Sequence, residues 1–166
     1  LPDFRAGERA FQLMVQAAGR AGRGVIPGEV IIQTYQPENS IIQLAASQDY
    51  KSFYAYEIKW RRELAYPPFT TLLRIVVSDR EEELARTGIE DIRERIEEVL
   101  DYYEGELQIL GPALCPIYKI GNRFRYQLLL KSNNESLLRS VGAYIADNSR
   151  PNNVKIEIDI NPVSMM

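Results

Sequence analysis

The chain has 166 residues, 45% of them hydrophobic and 26% charged, with a formal net charge of −3 at pH 7. That composition is globular and large enough for one full core, or for one domain joined to part of another. A single cysteine, Cys115, and the lack of any histidine exclude a disulfide framework, a multi-cysteine zinc site, histidine-ligated metal or haem, and a Ser-His-Asp or Cys-His nucleophile.

In chain order, residues 5–20 predict a helix, with Asp3 as N-cap and Phe11, Met14, Val15 and Ala18 as an apolar stripe at spacings of three and four. Gly19, Gly22 and Gly24 end it. The β-branched run GEVIIQTY (28–35) lies between Pro27 and Pro37 and predicts a short strand. One helix and one strand cannot bury their own apolar faces, so this strand needs partners elsewhere, or in a second copy of the chain. Residues 38–65 predict a helix in two pieces joined near Ser47–Asp49, stopped by Pro67–Pro68.

The pattern then changes. TLLRIVVS (71–78) predicts a strand with Leu73, Ile75 and Val77 on one face and Arg74 on the other. Residues 81–104 predict a long helix, LQILGPAL (107–114) and RFRYQLLLK (123–131) two further strands, and residues 135–148 a second helix. VKIEIDI (154–160) closes with strict alternation. The order β-α-β-β-α-β predicts a ferredoxin-like sandwich over 70–166, after an N-terminal piece at 1–44 and a helical linker at 45–69.

Three stretches could carry chemistry. QAAGRAGRG (16–24) sets Arg20 and Arg23 among glycines after a helix, which suits either a phosphate or an ordinary surface loop. YKIGNRFRYQ places Lys119, Asn122, Arg123 and Arg125 at a strand connection. Alternation turns Arg123, Arg125, Gln127 and Lys131 to one face and Phe124 and Tyr126 to the core face. The tip therefore reads as a phosphate contact or as a solvated hairpin, and not as a base-stacking platform. Glu157 and Asp159 could offset those arginines by cross-strand pairing. The cluster Lys59, Arg61 and Arg62 fits a helix C-terminus whose dipole favours cations.

QLMVQAAGRAGRG (12–24) resembles motif VI of the superfamily 2 helicases. PDFRAGERAFQLMVQAAGRAGR (2–23) together with WRRELAYPPF (60–69) is similar, over the whole chain, to the primosomal replication-restart helicases of the PriA family. The resemblance implies the end of a RecA-like lobe followed by the family's C-terminal domain, in a bacterial, cytoplasmic ATP-dependent 3′-to-5′ DNA helicase. That helicase recognises stalled or branched forks and starts primosome assembly. It implies that Arg20 and Arg23 reach the phosphates of ATP, with Arg23 as the arginine finger, Gln16 holding the nucleotide or coupling the lobes, and Gly19 and Gly22 giving access. The phosphate-loop pattern G-x-x-x-x-G-K-[ST], the D-E-x-H motif and the family's zinc-binding cysteines are missing from these residues. ATP, magnesium and zinc therefore belong to the whole protein, and this chain alone, read as a fragment cut from it, is expected to be inactive and prone to self-association. Implied partners are fork DNA at Lys119, Asn122, Arg123 and Arg125, other primosome proteins, and the acidic tail of single-stranded-DNA-binding protein at Lys131 and Arg139. No apolar run reaches membrane-spanning length and no signal-peptide pattern is present. The rival reading is a stand-alone ferredoxin-like interaction module without ATP chemistry.

Overall fold

A computed structural model describes residues 3–21, 28–100, 106–148 and 154–165. The chain divides into two compact units, residues 4–64 and residues 65–166 together with 1–3.

In the first unit, α1 (Ala6–Ala21), α2 (Ser40–Ala46) and α3 (Tyr50–Glu63) pack through Phe11, Ala45 and Phe53, with Met14, Val15, Ile41 and Leu44 against them. The Phe11 and Phe53 rings stack with centroids 4.0 Å apart. The break between α2 and α3 falls where expected and is capped: Asp49 accepts from the Ser52 backbone N–H, and Asn39 accepts from that of Ile41 at the start of α2. The strand expected at 28–35 does not form, and residues 28–34 have no regular structure. A strand needs a neighbour for its N–H and C=O groups. None is paired to it among the described residues, and Ile31 and Tyr35 stand exposed. The described residues of this unit accordingly show three helices and this irregular segment, and no RecA-like sheet.

The second unit is α+β. Strands β1 (Thr71–Asp79), β2 (Gln108–Ile120), β3 (Arg123–Ser132) and β4 (Lys155–Ile160) form one antiparallel sheet in the order β2-β3-β1-β4, with α4 (Glu82–Leu100) after β1 and α5 (Glu135–Asn148) after β3. This is the βαββαβ connectivity expected. Leu73, Ile75 and Val77 of β1 and Leu128 and Leu130 of β3 meet Ile89, Ile92 and Ile96 of α4 and Leu138, Val141 and Ile145 of α5 in one core. At about 25 cal/mol per Å² of apolar surface removed from water, such a core is the main favourable contribution to folding.

The other face of the sheet is covered too. Residues 72–78 are buried without interruption, Arg74 included. The segment after β4 turns back over that face. Asn161, in the left-handed region at φ 51°, donates its N–H to the Leu72 carbonyl at 2.8 Å and accepts from the Leu72 N–H through its side chain. Met165 is fully buried. The Arg74 guanidinium donates to the carbonyls of Ser164 (3.2 Å) and Met165 (2.7 Å) and to Gln127 Oε1 (2.9 Å), and its Nη2 lies 3.7 Å from Cys115 Sγ. Burial is the main influence on the Cys115 thiol and pushes its pKa up.

Candidate nucleic-acid interface

The β2–β3 hairpin closes on a two-residue turn. Gly121 (φ 55°) and Asn122 (φ 60°) both sit in the left-handed region, as a tight primed turn demands, and Ile120 pairs with Arg123 across it. Glycine and asparagine are the residues that adopt this backbone at least cost. The expected connection is therefore a tight two-residue turn, and β2 runs on past the predicted 107–114 to reach it.

Residues 107–132 contain four cations, Lys119, Arg123, Arg125 and Lys131, and no carboxylate, within a chain of net charge −3. Lys119 and Asn122 are exposed at the tip, and Arg123 and Arg125 are half-buried beside them. Arg123 donates to the Ser78 carbonyl at 2.7 Å and lies 3.6 Å from Asp79 Oδ2. Arg125 donates to the Ile117 carbonyl at 3.3 Å. The Lys119 ammonium sits 4.2 Å from the centre of the Phe124 ring. These contacts hold the side chains in place while leaving further donors for phosphate.

The anticipated pairing of Arg123 and Arg125 with Glu157 and Asp159 on an adjacent strand is not possible, because β1 lies between β3 and β4. Glu157 instead bonds Lys155 at 2.6 Å. That bond holds its carboxyl below the ordinary range, with weaker help from the positive charges of Arg125 and Arg74.

Lys131 and Arg139 are not brought together. Lys131 pairs with Leu72 on the sheet face away from α5 and is 7% exposed. Its ammonium lies 3.7 Å from the centre of the Tyr66 ring, and burial depresses its pKa. Arg139 is exposed on α5 and bound to Glu135 Oε1 at 2.6 Å.

At the other candidate site, Gln16 and Arg20 are exposed four residues apart on α1, with Gly19 between them open to solvent. Gly22 and Arg23 lie outside the described residues. Gln16 also lines a groove of about 410 Å³ between α1 and α3, with Phe11, Val15, Tyr54, Glu57 and Arg61. At that groove the Arg61 guanidinium bridges Glu8 (2.8 Å) and Glu57 (3.0 Å). Burial opposes its charge, but the two carboxylates outweigh that and hold it protonated. The basic cluster at the end of α3 is thus partly neutralised. No group of three potential metal ligands occurs among the described residues.

Two features escaped sequence reasoning. One is Arg74 clamping the chain's last residues. The other is the exposed apolar set on β2, with Leu114, Ile117, Tyr118 and Ile120 each 43–54% exposed. The unbroken run LLRIVV was a signal of the first, since strands buried on both faces lose alternation.

Residues 62–163 match the family described as the Primosomal protein N C-terminal domain. The α+β unit with its basic hairpin is therefore a domain of the primosomal type. Along its whole length the chain is 41% identical to the replication restart protein PriA of Bacillus subtilis, of which it spans 21%. It is 36% identical to the PriA proteins of Chlamydia muridarum and Treponema pallidum, covering 99% of this chain and 22% and 25% of theirs. The chain belongs to the PriA family of replication restart proteins, and it spans about a fifth to a quarter of the length of these relatives. A designed protein, Foldit4, aligns over 57% of this chain at 11% identity with a TM-score of 0.42.

Proposed function

We propose that residues 70–166 are a ferredoxin-like, DNA-contacting domain of a replication-restart helicase. On this reading the β2–β3 tip grips the phosphates of branched DNA through Lys119, Asn122, Arg123 and Arg125. The observation that carries it is the concentration of positive charge, with no carboxylate of its own, on a hairpin closed by a tight two-residue turn, in a chain that is acidic overall. A local basic patch of that kind draws a polyanion where net charge would not. Residues 45–69 are read as a helical linker and residues 1–44 as the end of a RecA-like lobe. Its exposed VIIQTY segment would complete a sheet in the longer protein, or pair with a second copy of the chain when that sheet is absent. Other primosome proteins and single-stranded-DNA-binding protein are the partners expected of the whole, the latter at exposed Arg139 and, if the covered face opens, at Lys131.

ATP with magnesium is the cofactor of this reading. Exposed Arg20, with Gln16 one turn away, fits a phosphate group, and no phosphate-loop pattern accompanies them. When bound in the longer protein, the nucleotide supplies the phosphoryl transfer that drives unwinding. The arginines would neutralise charge on the phosphates, a contribution worth orders of magnitude in rate in such enzymes. The chain alone is expected to hydrolyse no ATP.

The test is fluorescence anisotropy of the chain with a three-way fork, a linear duplex and a single strand. The fork should bind tightest, and Arg123→Glu/Arg125→Glu should abolish the difference. Equal, weak binding of all three DNAs by both proteins would overturn the assignment.

A further inference from the structure

We infer that the hairpin tip is also an apolar pin that stacks on an exposed terminal base pair, at a duplex end or branch point. This rests on the DNA-contacting reading above and extends it from phosphate to base. Tyr118 is 54% exposed, Ile120 50% and Ile117 43%, all within four residues of the turn. Large apolar side chains at that exposure are held in water at a cost unless something covers them. The Tyr118 ring lies 6.4 Å from the half-buried Phe124 ring, which also carries the Lys119 ammonium, so aromatic surface and cation are set side by side.

The backbone holds this arrangement in advance. Two left-handed turn residues set the end of the hairpin, and Arg125 ties β3 to the Ile117 carbonyl through a stretch where β2 carries extra residues. Apolar wedges of this kind pack against base steps, and a preorganised one spends little entropy on doing so.

The occupant is nucleic acid and not an added peptide strand. β2 is an edge of the sheet, but Pro112 and Pro116 remove two backbone donors, and its register with β3 breaks twice. A broken edge is a poor template for an extended peptide. Lys119, Arg123 and Arg125 meanwhile supply charge for phosphates flanking a stacked base pair. The carboxylates facing this tip are Asp79, beside Arg123, and Glu157, whose charge Arg125 feels. Glu82, the first residue of α4, accepts from the hydroxyl of Tyr126, which lies further along β3 from the tip.

The experiment compares an open-ended duplex with the same duplex closed at both ends by loops, using the whole chain, the exposed-site variant Tyr118→Ser/Ile120→Ser, and Arg123→Glu/Arg125→Glu. Circular dichroism checks each fold. Base stacking predicts about tenfold tighter binding to the open end. The serine variant should bring that ratio to about one while leaving affinity for the closed duplex unchanged, and the charge variant should weaken both DNAs together. A ratio that survives the serine substitutions overturns the pin and leaves phosphate gripping standing. If the wild-type chain binds neither DNA, both readings fall. Binding of a labelled oligoglutamate peptide instead would make the tip a protein dock.

Discussion

Replacing Arg74 by methionine should release the chain's last residues from the sheet. Methionine keeps the apolar stem of the side chain and removes the donors that reach the Ser164 and Met165 carbonyls and Gln127. A hydrogen bond from a charged donor is worth about 1.5–3 kcal/mol. Opening of the segment gives its two carbonyls access to water, whereas Gln127, fully buried in the sheet, keeps an unpaired Oε1. The net cost is therefore about 2–3 kcal/mol, or roughly a 30- to 150-fold shift toward the open state. Cys115 reports it directly, since it is the only thiol, is 3% exposed and lies against this guanidinium. Thiol labelling at neutral pH, in the regime where reclosing outpaces reaction, should accelerate by that factor while the urea midpoint falls. Labelling within twofold of wild type with an unmoved midpoint would refute the clamp.

Lys131→Met tests the buried amine beside Tyr66. Burial lowers its folded pKa, so the unfolded chain binds more protons and wild-type stability should climb as pH rises from the folded pKa toward the ordinary value of 10.5. Denaturant titrations across pH 7–10 should show that part of the slope missing from the variant. Arg61→Ala leaves Glu8 and Glu57 close together without their shared cation and should cost the first unit about 1–3 kcal/mol, read by Trp60, the only tryptophan. Gly121→Val forces a branched side chain into a left-handed turn at φ 55°. It should cost about 1–2 kcal/mol and weaken fork binding through the displaced tip, as melting and anisotropy would show.

The parts of the molecule that were legible in its sequence are those decided by local pattern. Alternation placed Leu73, Ile75 and Val77 on the helix side of β1, and the polar cluster Ser47–Asp49 marked the break between α2 and α3. What escaped depended on partners distant in the chain. GEVIIQTY has strand composition, but β-propensity measures fit to a neighbour's surface, and none is paired with it here. The segment from Asn161 to Met165 carries no periodicity, and only the three-dimensional return of the chain lays it over Arg74. The predicted strand stops at Leu114, between Pro112 and Pro116. An edge strand tolerates them at its breaks in register, and so β2 extends to Ile120 and exposes the apolar residues of the tip.

At the candidate site, the cations of the hairpin were visible as a run without carboxylates. Their pairing was not, because strand order is not written in any one segment. Arg125 and Glu157 look like cross-strand neighbours until β1 is found between them.

The central claim, that the β2–β3 tip grips phosphate at a fork, is tested most directly by the salt dependence of fork binding. Each phosphate contact contributes about −0.9 to the slope of log affinity against log salt on duplex DNA. With Lys119, Arg123 and Arg125 engaged, the slope should be about −2 to −3, and Arg123→Glu/Arg125→Glu should flatten it toward zero. A slope near zero for the wild-type chain, or one of the same steepness in the variant, would contradict the account.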